Sequence, residues 1–350
     1  MQPVTDSDVV VVGGGPAGSA CAAELSGVGH AVTLVDDGRR LGSWAGESLP
    51  PGAIDLITSV FGEDVLEGHR RAYGVRSAWG SSDLGSTDFM STPLGDGLIL
   101  DRARFDEQAR AQARCRGASV IAGRVQSVEA DGDSWTCTLH DGRRLRSAWL
   151  VDATGRSASV ASRLGARRAR ADRLMAQVLT ASDRGDAIAG TIIESVPEGW
   201  WYSTPLPDGR RVIALLTDTD LLSADADRSA RWRSALEATV HLHSAAGEIS
   251  SDVEPSLHRA DTSVLHPMAG ERWCAIGDAA AAWDPLSSQG VVSAVLVGAR
   301  AGRAIPDPAA LRGLESDVHL LVSEHAALQS HFYGLERRWP DEPFWHRRQI

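Results

Sequence analysis

Three glycines near the start of the chain have the spacing of a nucleotide-binding turn. Gly13, Gly15 and Gly18 follow an apolar run, 9–12, and precede a segment, 19–25, that is typical of a helix. In a strand–turn–helix unit of this kind, the first glycine permits the tight turn and the second lets the backbone approach a pyrophosphate. The third lets the helix pack closely on the strand, and the helix N-terminus supplies an anion site.

An acidic residue completes this unit. A second apolar run, 31–35, ends at Asp36. An acid about 20 residues after the glycines commonly accepts hydrogen bonds from the ribose of a dinucleotide. The order of strand, glycine turn, helix, strand and acid therefore predicts dinucleotide binding by an α/β fold.

The composition excludes several kinds of chemistry. The chain has 35 basic and 46 acidic residues and a net charge of -11, which argues against nucleic acid or an anionic membrane as a partner. Every basic residue is arginine, because the sequence contains no lysine, and asparagine is also absent. No mechanism that needs a lysine amine can operate. The four cysteines are widely separated and predict neither a disulfide framework nor a metal site.

The N-terminal segment gives no sign of export. Residues 1–8 are polar and acidic, unlike a secretory signal. The uncharged stretch 9–23 is too short to span a membrane and is interrupted by glycines. We therefore expect a cytoplasmic protein.

Four later segments indicate which dinucleotide is bound. A helix with Arg102 begins near residue 100, and predicted strands end at 151–156 and at 273–280. The run 284–290 reads Asp-Pro-Leu-Ser-Ser-Gln-Gly. Together with the N-terminal unit, these segments resemble the flavoprotein monooxygenase superfamily with the p-hydroxybenzoate hydroxylase-like FAD fold. The resemblance implies an α/β fold, in which a Rossmann-like FAD-binding domain carries an inserted antiparallel β-sheet substrate lobe.

Within that superfamily, three segments narrow the resemblance. The runs 46–51, 199–203 and 284–290 resemble the branch that holds tryptophan halogenases and the halogenase-like flavoproteins that modify peptidyl tryptophan in quinone-cofactor maturation. The resemblance implies that Arg102 reaches the flavin phosphate or ribityl region, and that a helix beginning after Pro285 points its positive end at the isoalloxazine. The cofactor-binding residues that it implies are Gly13, Gly15, Ala17, Gly18, Asp36, Arg102, Asp278, Pro285, Gln289 and Gly290.

The chain departs from the halogenases at positions that carry their chemistry. Halogenases of this branch have a catalytic lysine, and their glutamate in the run 284–290 corresponds to Ser287 here. The segment 200–205 also differs from their Trp-x-Trp-x-Ile-Pro pattern. Halogenation by the known mechanism is therefore disfavoured. The resemblance then implies an FAD-dependent monooxygenase that oxidises an aromatic substrate, such as an indole or a peptidyl tryptophan, through a flavin hydroperoxide.

Two other functions stay open at this stage. One is an FAD-dependent dehydrogenase or reductase that transfers hydride, and the other is a non-enzymatic FAD-stabilised partner in a biosynthetic complex. The reductant could be NAD(P)H or reduced flavin from a separate flavin reductase. The predicted catalytic residues are Glu47, Trp201 and Ser288, although Glu47 could instead be a structural loop residue.

Between residues 173 and 265, the sequence pattern changes to one typical of β-strands followed by a helix. On a strand, Trp200 and Tyr202 face one side, and Trp201 and Ser203 face the other. One aromatic face could stack on a planar substrate, but all three aromatic side chains could equally be core. Strands are predicted at 174–180, 190–195, 200–205 and 211–216, followed by a helix at 227–243.

These patterns predict three parts of the chain. We expect an FAD-binding domain at 1–75, 97–172 and 266–306, a substrate lobe at 76–96 and 173–265, and a C-terminal helical segment at 307–350. The expected partners are a small aromatic molecule or a peptide, and a flavin reductase. No metal site is predicted.

Overall fold

The computed structural model describes residues 4–38, 46–89, 93–184, 190–222, 228–247, 249, 253–305 and 307–349. The helices are α1 (Pro16–Gly27), α2 (Ile54–Phe61), α3 (Arg102–Cys115), α4 (Arg228–Glu237), α5 (Gly290–Ala304), α6 (Pro308–Leu335) and α7 (Pro343–His346). The strands are β1 (Val4–Val12), β2 (Val32–Asp36), β3 (Ser48–Leu49), β4 (Arg70–Ala72), β5 (Gly74–Ala78), β6 (Gly85–Asp88), β7 (Gly97–Ile99), β8 (Ser119–Ala122), β9 (Val125–Asp131), β10 (Ser134–Leu139), β11 (Arg144–Asp152), β12 (Arg167–Arg170), β13 (Leu174–Ser182), β14 (Thr191–Val196), β15 (Gly199–Pro205), β16 (Arg210–Asp218), β17 (Ser256–Arg259), β18 (Ser263–His266), β19 (Ala269–Gly270), β20 (Trp273–Ala275) and β21 (Ala281–Ala282).

The first sheet is built around β1 and is parallel at its centre. Its strand order is β19–β20–β11–β1–β2–β8, and the β9–β10 pair joins through β11. The valines at 9–12 are buried, as expected for a central strand with both faces covered. This sheet confirms the predicted α/β class, and it brings the carboxyl ends of β1, β2, β11 and β20 to one edge.

Helices α1 and α5 approach each other closely beside this sheet. A Cβ atom at Gly298 would lie 2.2 Å from the backbone oxygen of Ala17, and one at Gly302 would lie 2.9 Å from that of Cys21. The missing side chains on α5 thus allow backbone-to-backbone packing. This contact fixes the start of α5 relative to the glycine turn.

A second sheet contains the four strands predicted for the lobe. Its order is β17–β13–β16–β15–β14–β5–β6, and its pairs are antiparallel except for β14 with β5. Helix α4 covers one of its faces, where Trp232 packs on Trp201. The other face packs against the C-terminal segment, with Trp200, Tyr333 and Trp345 in one apolar cluster.

Helix α4 is shorter than the sequence predicted. It ends at Glu237, whereas a helix was predicted from 227 to 243, and Asp227 lies outside the described residues. The physical reason is the buried carboxylate of Glu194, which accepts hydrogen bonds from the backbone N–H groups of residues 240, 241 and 242. These donors are therefore satisfied outside a helix.

The C-terminal segment packs onto the second sheet. The indole nitrogen of Trp345 donates to the backbone oxygen of Val196 over 2.8 Å, and that of Trp79 donates to the backbone oxygen of Phe332 over 2.7 Å. Helices α6 and α7 are thus tied to the strands of the lobe. Across the described ranges, no helix combines the length and the apolar character needed to cross a membrane.

Candidate functional site

The glycine turn has the geometry that its spacing predicts. Gly13 has φ +113°, and a Cβ atom there would lie 2.2 Å from the backbone oxygen of Ala153. At Gly18 a Cβ atom would lie 1.9 Å from the backbone oxygen of Gly13, whereas at Gly15 it would meet nothing within 4 Å. Gly13 and Gly18 are therefore required by the protein's own packing, while Gly15 leaves open space beside the turn.

Helix α1 begins at this open space. Its N-cap, Gly15, has no side chain to cap the first N–H groups, which leaves these donors for an anion. The side chain of Ala17 is buried against Gly277, where an added Cβ atom would lie 2.6 Å from the Ala17 Cβ. The backbone is therefore the part of Ala17 that remains for its predicted role in cofactor binding.

A cavity of about 600 Å³ lies between α3 and the ends of β2 and β8. Asp36 and Arg102, two of the predicted cofactor residues, both line it. Arg110 on α3 lines it as well and forms a 3.0 Å ion pair with Asp36. The carboxyl end of a strand and one charged face of a helix thus enclose this space.

Arg102 connects this cavity to a second one. Its buried guanidinium contacts the carboxylates of Glu47 and Asp106. Burial alone would lower the pKa of Arg102, but these two carboxylates raise it above its ordinary value. Burial raises the pKa of Glu47, and Arg102 opposes this rise only in part. Glu47 is thus a carboxyl group able to hold a proton at higher pH than an exposed glutamate.

The second cavity is smaller, about 120 Å³, and lies between the second sheet and the start of α5. Trp200 and Tyr202 come from β15 on one side, and the segment 284–291 comes from the other. The residues that line it are Gly46, Glu47, Ser48, Arg156, Trp200, Tyr202, Val212, Leu216, Asp278, Trp283, Asp284, Pro285, Ser288, Gly290 and Val291.

Trp201, one of the predicted catalytic residues, does not line the small cavity. Trp201 is fully buried on the opposite face of β15 and packs on Trp232, with ring centroids 5.1 Å apart. The aromatic side chains that reach the small cavity are Trp200 and Tyr202. Alternation along the strand correctly separated the two faces, but both faces are buried, so the pattern did not show which one meets the cavity.

The helix predicted to begin after Pro285 is α5, which starts at Gly290. A short 3-10 turn, Pro285–Ser287, precedes it. Ser288, whose φ of +50° lies in the left-handed region, separates this turn from α5. Ser288 and Gly290 line the small cavity, whereas Gln289 forms the N-cap position of α5.

Asp278 lies in the same cavity and has a basic neighbour that sequence reasoning missed. The guanidinium of Arg156 is 3.7 Å from the Asp278 carboxylate and donates to the backbone oxygens of Asp261 and Trp283. Arg156 follows the carboxyl end of β11, which is where ligands bind in open α/β sheets. The position of Arg156 just after this strand is therefore the signal in the sequence that could have identified it as a site residue.

Asp284 and Tyr333 form a second contact that the sequence did not reveal. The Tyr333 hydroxyl donates to Asp284 Oδ2 over 2.8 Å and accepts from Trp200 Nε1 over 3.0 Å. Gln329 also donates to Asp284 Oδ2, over 2.9 Å. Burial raises the pKa of Asp284. Helix α6 thereby holds both walls of the small cavity.

These residues fit FAD. The open space at Gly15 and the uncapped start of α1 fit a pyrophosphate, and the cavity at Asp36 has room for an adenosine group. Arg102 lies at the boundary of the two cavities and fits the region between them. The described residues contain no group of three or more His, Cys, Asp or Glu that could hold a metal ion.

In sequence, the chain is similar to known flavoproteins. A family model described as lycopene cyclase protein matches residues 8–178. An FAD-dependent oxidoreductase named LodB, from Marinomonas mediterranea, is 29% identical over 97% of this chain and 96% of its own length. A tryptophan 2-halogenase from Chondromyces crocatus is 26% identical over 83% of this chain and 59% of its own length. A menaquinone reductase from Mycobacterium tuberculosis is 28% identical over 83% of this chain and 74% of its own.

The solved structures that are similar to this chain are flavoproteins as well. The peptidyl tryptophan dihydroxylase QhpG matches with a TM-score of 0.83 and 26% identity, over 99% of this chain and 79% of its own. The flavin-dependent halogenase CmlS matches in fold with a TM-score of 0.84 and 22% identity, over 99% of this chain and 68% of its own. In sequence and in fold, the chain is thus similar to FAD-dependent oxidoreductases and to halogenase-like flavoproteins, and this similarity supports an enzyme.

Proposed function

We propose that the chain is a monooxygenase that oxidises an aromatic substrate, an indole or a tryptophan side chain within a peptide, in the small cavity. The observation that carries this proposal is the wall formed by Trp200 and Tyr202, opposite the start of α5. Two aromatic residues of one strand face leave a slot suited to a planar ring.

The polar atoms of Trp200 and Tyr202 already take part in hydrogen bonds within the protein. Trp200 Nε1 donates to Tyr333, and the Tyr202 hydroxyl donates to the backbone oxygen of Gly46. Both side chains therefore present ring surface to the cavity. Such a wall favours an aromatic ring over a polar group, since a buried polar group without a partner costs about 1–3 kcal/mol.

The protein's own residues would bind the cofactor, orient the substrate and shield the site from water. The glycine turn and Arg102 would hold FAD, and Trp200 and Tyr202 would orient the ring. FAD, when bound and reduced, supplies the activation of oxygen. Glu47 would hold a proton beside the cavity, because burial raises its pKa. Ser288 and Asp278, which line the cavity, would contact the cofactor or the substrate.

The absence of lysine supports oxygen transfer over halogenation. The peptidyl tryptophan dihydroxylase similar in fold to this chain favours tryptophan in a peptide as the substrate. The negative charge of the chain, -11, favours a peptide that is neutral or basic.

Labelled oxygen tests the proposal. The holoenzyme would be supplied with reduced FAD from a separate flavin reductase, with ¹⁸O₂, and with indole or tryptophan-containing peptides. We expect the label in the product. In matched variants, Trp200→Leu should lose product formation and Trp201→Leu should retain it in its folded fraction. Oxidised product that never carries the label would overturn the proposal.

Hydride transfer is the second candidate, because a menaquinone reductase is similar to this chain over most of its length. Turnover under strict anaerobiosis would favour it. Anaerobic reduction of the bound flavin with NADH, with NADPH and with a flavin reductase, each with and without an indole, would also identify the reductant.

A further inference from the structure

One face of α3 carries charged residues at every fourth position. Arg102, Asp106, Arg110 and Arg114 all line the larger cavity. Residues four apart on a helix lie on one face, and eight residues span about 12 Å. The face therefore runs from Arg102, beside Glu47, to Arg110, beside the glycine turn.

Arg110 contacts three different elements at that end. Its Nη1 donates to the backbone oxygen of Gly14 over 3.0 Å and lies 3.0 Å from Asp36 Oδ2. Its Nη2 donates to Glu107 Oε2 over 2.8 Å. A guanidinium has enough donors in a fixed plane to bridge several acceptors at once. Arg110 thus joins the glycine turn, the end of β2 and α3.

The packing around Gly14 supports this bridge. A Cβ atom at Gly14 would lie 2.8 Å from Asp36 Cβ and 3.0 Å from Arg110 Cδ. Gly14 is not one of the three motif glycines, yet its lack of a side chain lets Asp36 and Arg110 pack against the turn. The carboxylate expected to meet the ribose is therefore placed by contacts on both sides.

We propose that Arg110 is a positioning residue for the adenosine half of FAD. By holding Gly14 and Asp36 at a fixed separation, it sets the distance between the pyrophosphate turn and the ribose acceptor. Without it, the Asp36 carboxylate would face the Gly14 carbonyl with no cation between them, and the two would repel.

Arg114 provides a matched control. It lies on the same face and also binds Glu107, over 3.0 Å, but its side chain is 45% exposed, against 16% for Arg110. An exposed ion pair of this kind contributes little. Both variants remove one arginine from the same helix and the same cavity.

The experiment measures the dissociation constants of FAD and of ADP for the apoprotein and its variants by isothermal titration. We expect Arg110→Gln to weaken FAD at least tenfold and ADP by the same factor, and Arg114→Gln to change either by less than about twofold. If Arg110 only stabilised the fold, its loss would also loosen the part of the site that holds the flavin. The affinity for FAD, which has a flavin, would then fall more than the affinity for ADP, which has none.

Two outcomes would overturn the proposal: Arg110→Gln binding FAD as tightly as Arg114→Gln, or FAD affinity falling much more than ADP affinity. If Arg110→Gln does not fold, Arg110→Lys replaces it. Its ammonium keeps the charge but lacks the planar fork, so we expect it to weaken both ligands equally. Wild-type affinity in that variant would also contradict the proposal. None of these measurements depends on the oxidation reaction.

Discussion

The indole nitrogen of Trp200 donates a hydrogen bond to the hydroxyl oxygen of Tyr333 across 3.0 Å, although the two residues lie far apart in the sequence. Tyr333 donates in turn to Asp284, so the chain of hydrogen bonds has one direction. It begins at one wall of the small cavity, passes through α6 and ends at the opposite wall. The C-terminal helix thereby fixes the separation of the two walls.

Removal of the Tyr333 hydroxyl should destabilise the protein. Tyr333→Phe leaves the Trp200 N–H and one acceptor position of Asp284 without this partner, and buried unpaired groups cost about 1–3 kcal/mol. We expect the free energy of unfolding in urea to fall by about 2 kcal/mol. The control is Thr217→Val, which removes one buried hydroxyl that donates to the backbone oxygen of Glu198. An equal or smaller loss in Tyr333→Phe than in Thr217→Val would contradict the argument.

Asp284 should make stability fall as pH rises. Burial raises its pKa in the folded protein above the value of about 4 expected for the unfolded chain. Between these two pKa values the folded protein binds more protons than the unfolded chain, so stability is lost on going up in pH. The free energy of unfolding of wild type minus that of Asp284→Asn should therefore decrease from pH 4 upwards through the mildly acidic range.

Asp220 serves as the control for this measurement. Its pKa is lowered, first by its hydrogen bond with Arg347, so its contribution is lost as pH falls. The corresponding difference for Asp220→Asn should be small, because the pair is exposed, and should have the opposite slope. Parallel curves for wild type and Asp284→Asn would show that Asp284 has no raised pKa.

Two glycines of the turn should behave differently when changed to alanine. In Gly18→Ala the new Cβ atom meets the backbone oxygen of Gly13, so we expect the apoprotein to lose several kcal/mol of stability or not to fold. In Gly15→Ala the new atom meets open space, so the apoprotein should keep its melting temperature within a few degrees. FAD affinity should nevertheless fall at least tenfold, because the methyl group occupies the approach of the pyrophosphate. Unchanged FAD affinity in Gly15→Ala would refute this assignment.

Trp201 and Trp232 should differ in their contributions to stability, although they pack on each other. Trp232 Nε1 donates to the backbone oxygen of Gln177 over 3.2 Å. Trp201 Nε1 is buried and has no hydrogen-bond partner within the described part of the chain. Both changes to phenylalanine remove similar volume, but only Trp232→Phe removes a hydrogen bond. We expect Trp201→Phe to cost about 1 kcal/mol less in urea unfolding, and the reverse order would disprove the reasoning.

The FAD-binding unit was predictable because its constraints are local. The positions of Gly13, Gly15 and Gly18 follow from the sterics of one strand–turn–helix unit, and Asp36 lies at the end of the next strand. These requirements act over short stretches of chain, so they produce a residue spacing that can be recognised in the sequence. The strands of the lobe were predictable for the same reason, since alternation along a strand is also local.

The sequence by itself thus determined the fold class, the cofactor, and the lack of any lysine chemistry. Tertiary structure alone decided that Trp200 and not Trp201 faces the cavity, because both faces of β15 are buried and apolar and no pattern distinguishes them. It also decided the partners of Asp36 and Asp284. Arg110 and Tyr333 reach them from helices distant in the chain, and a contact between distant residues leaves no periodic trace in the sequence.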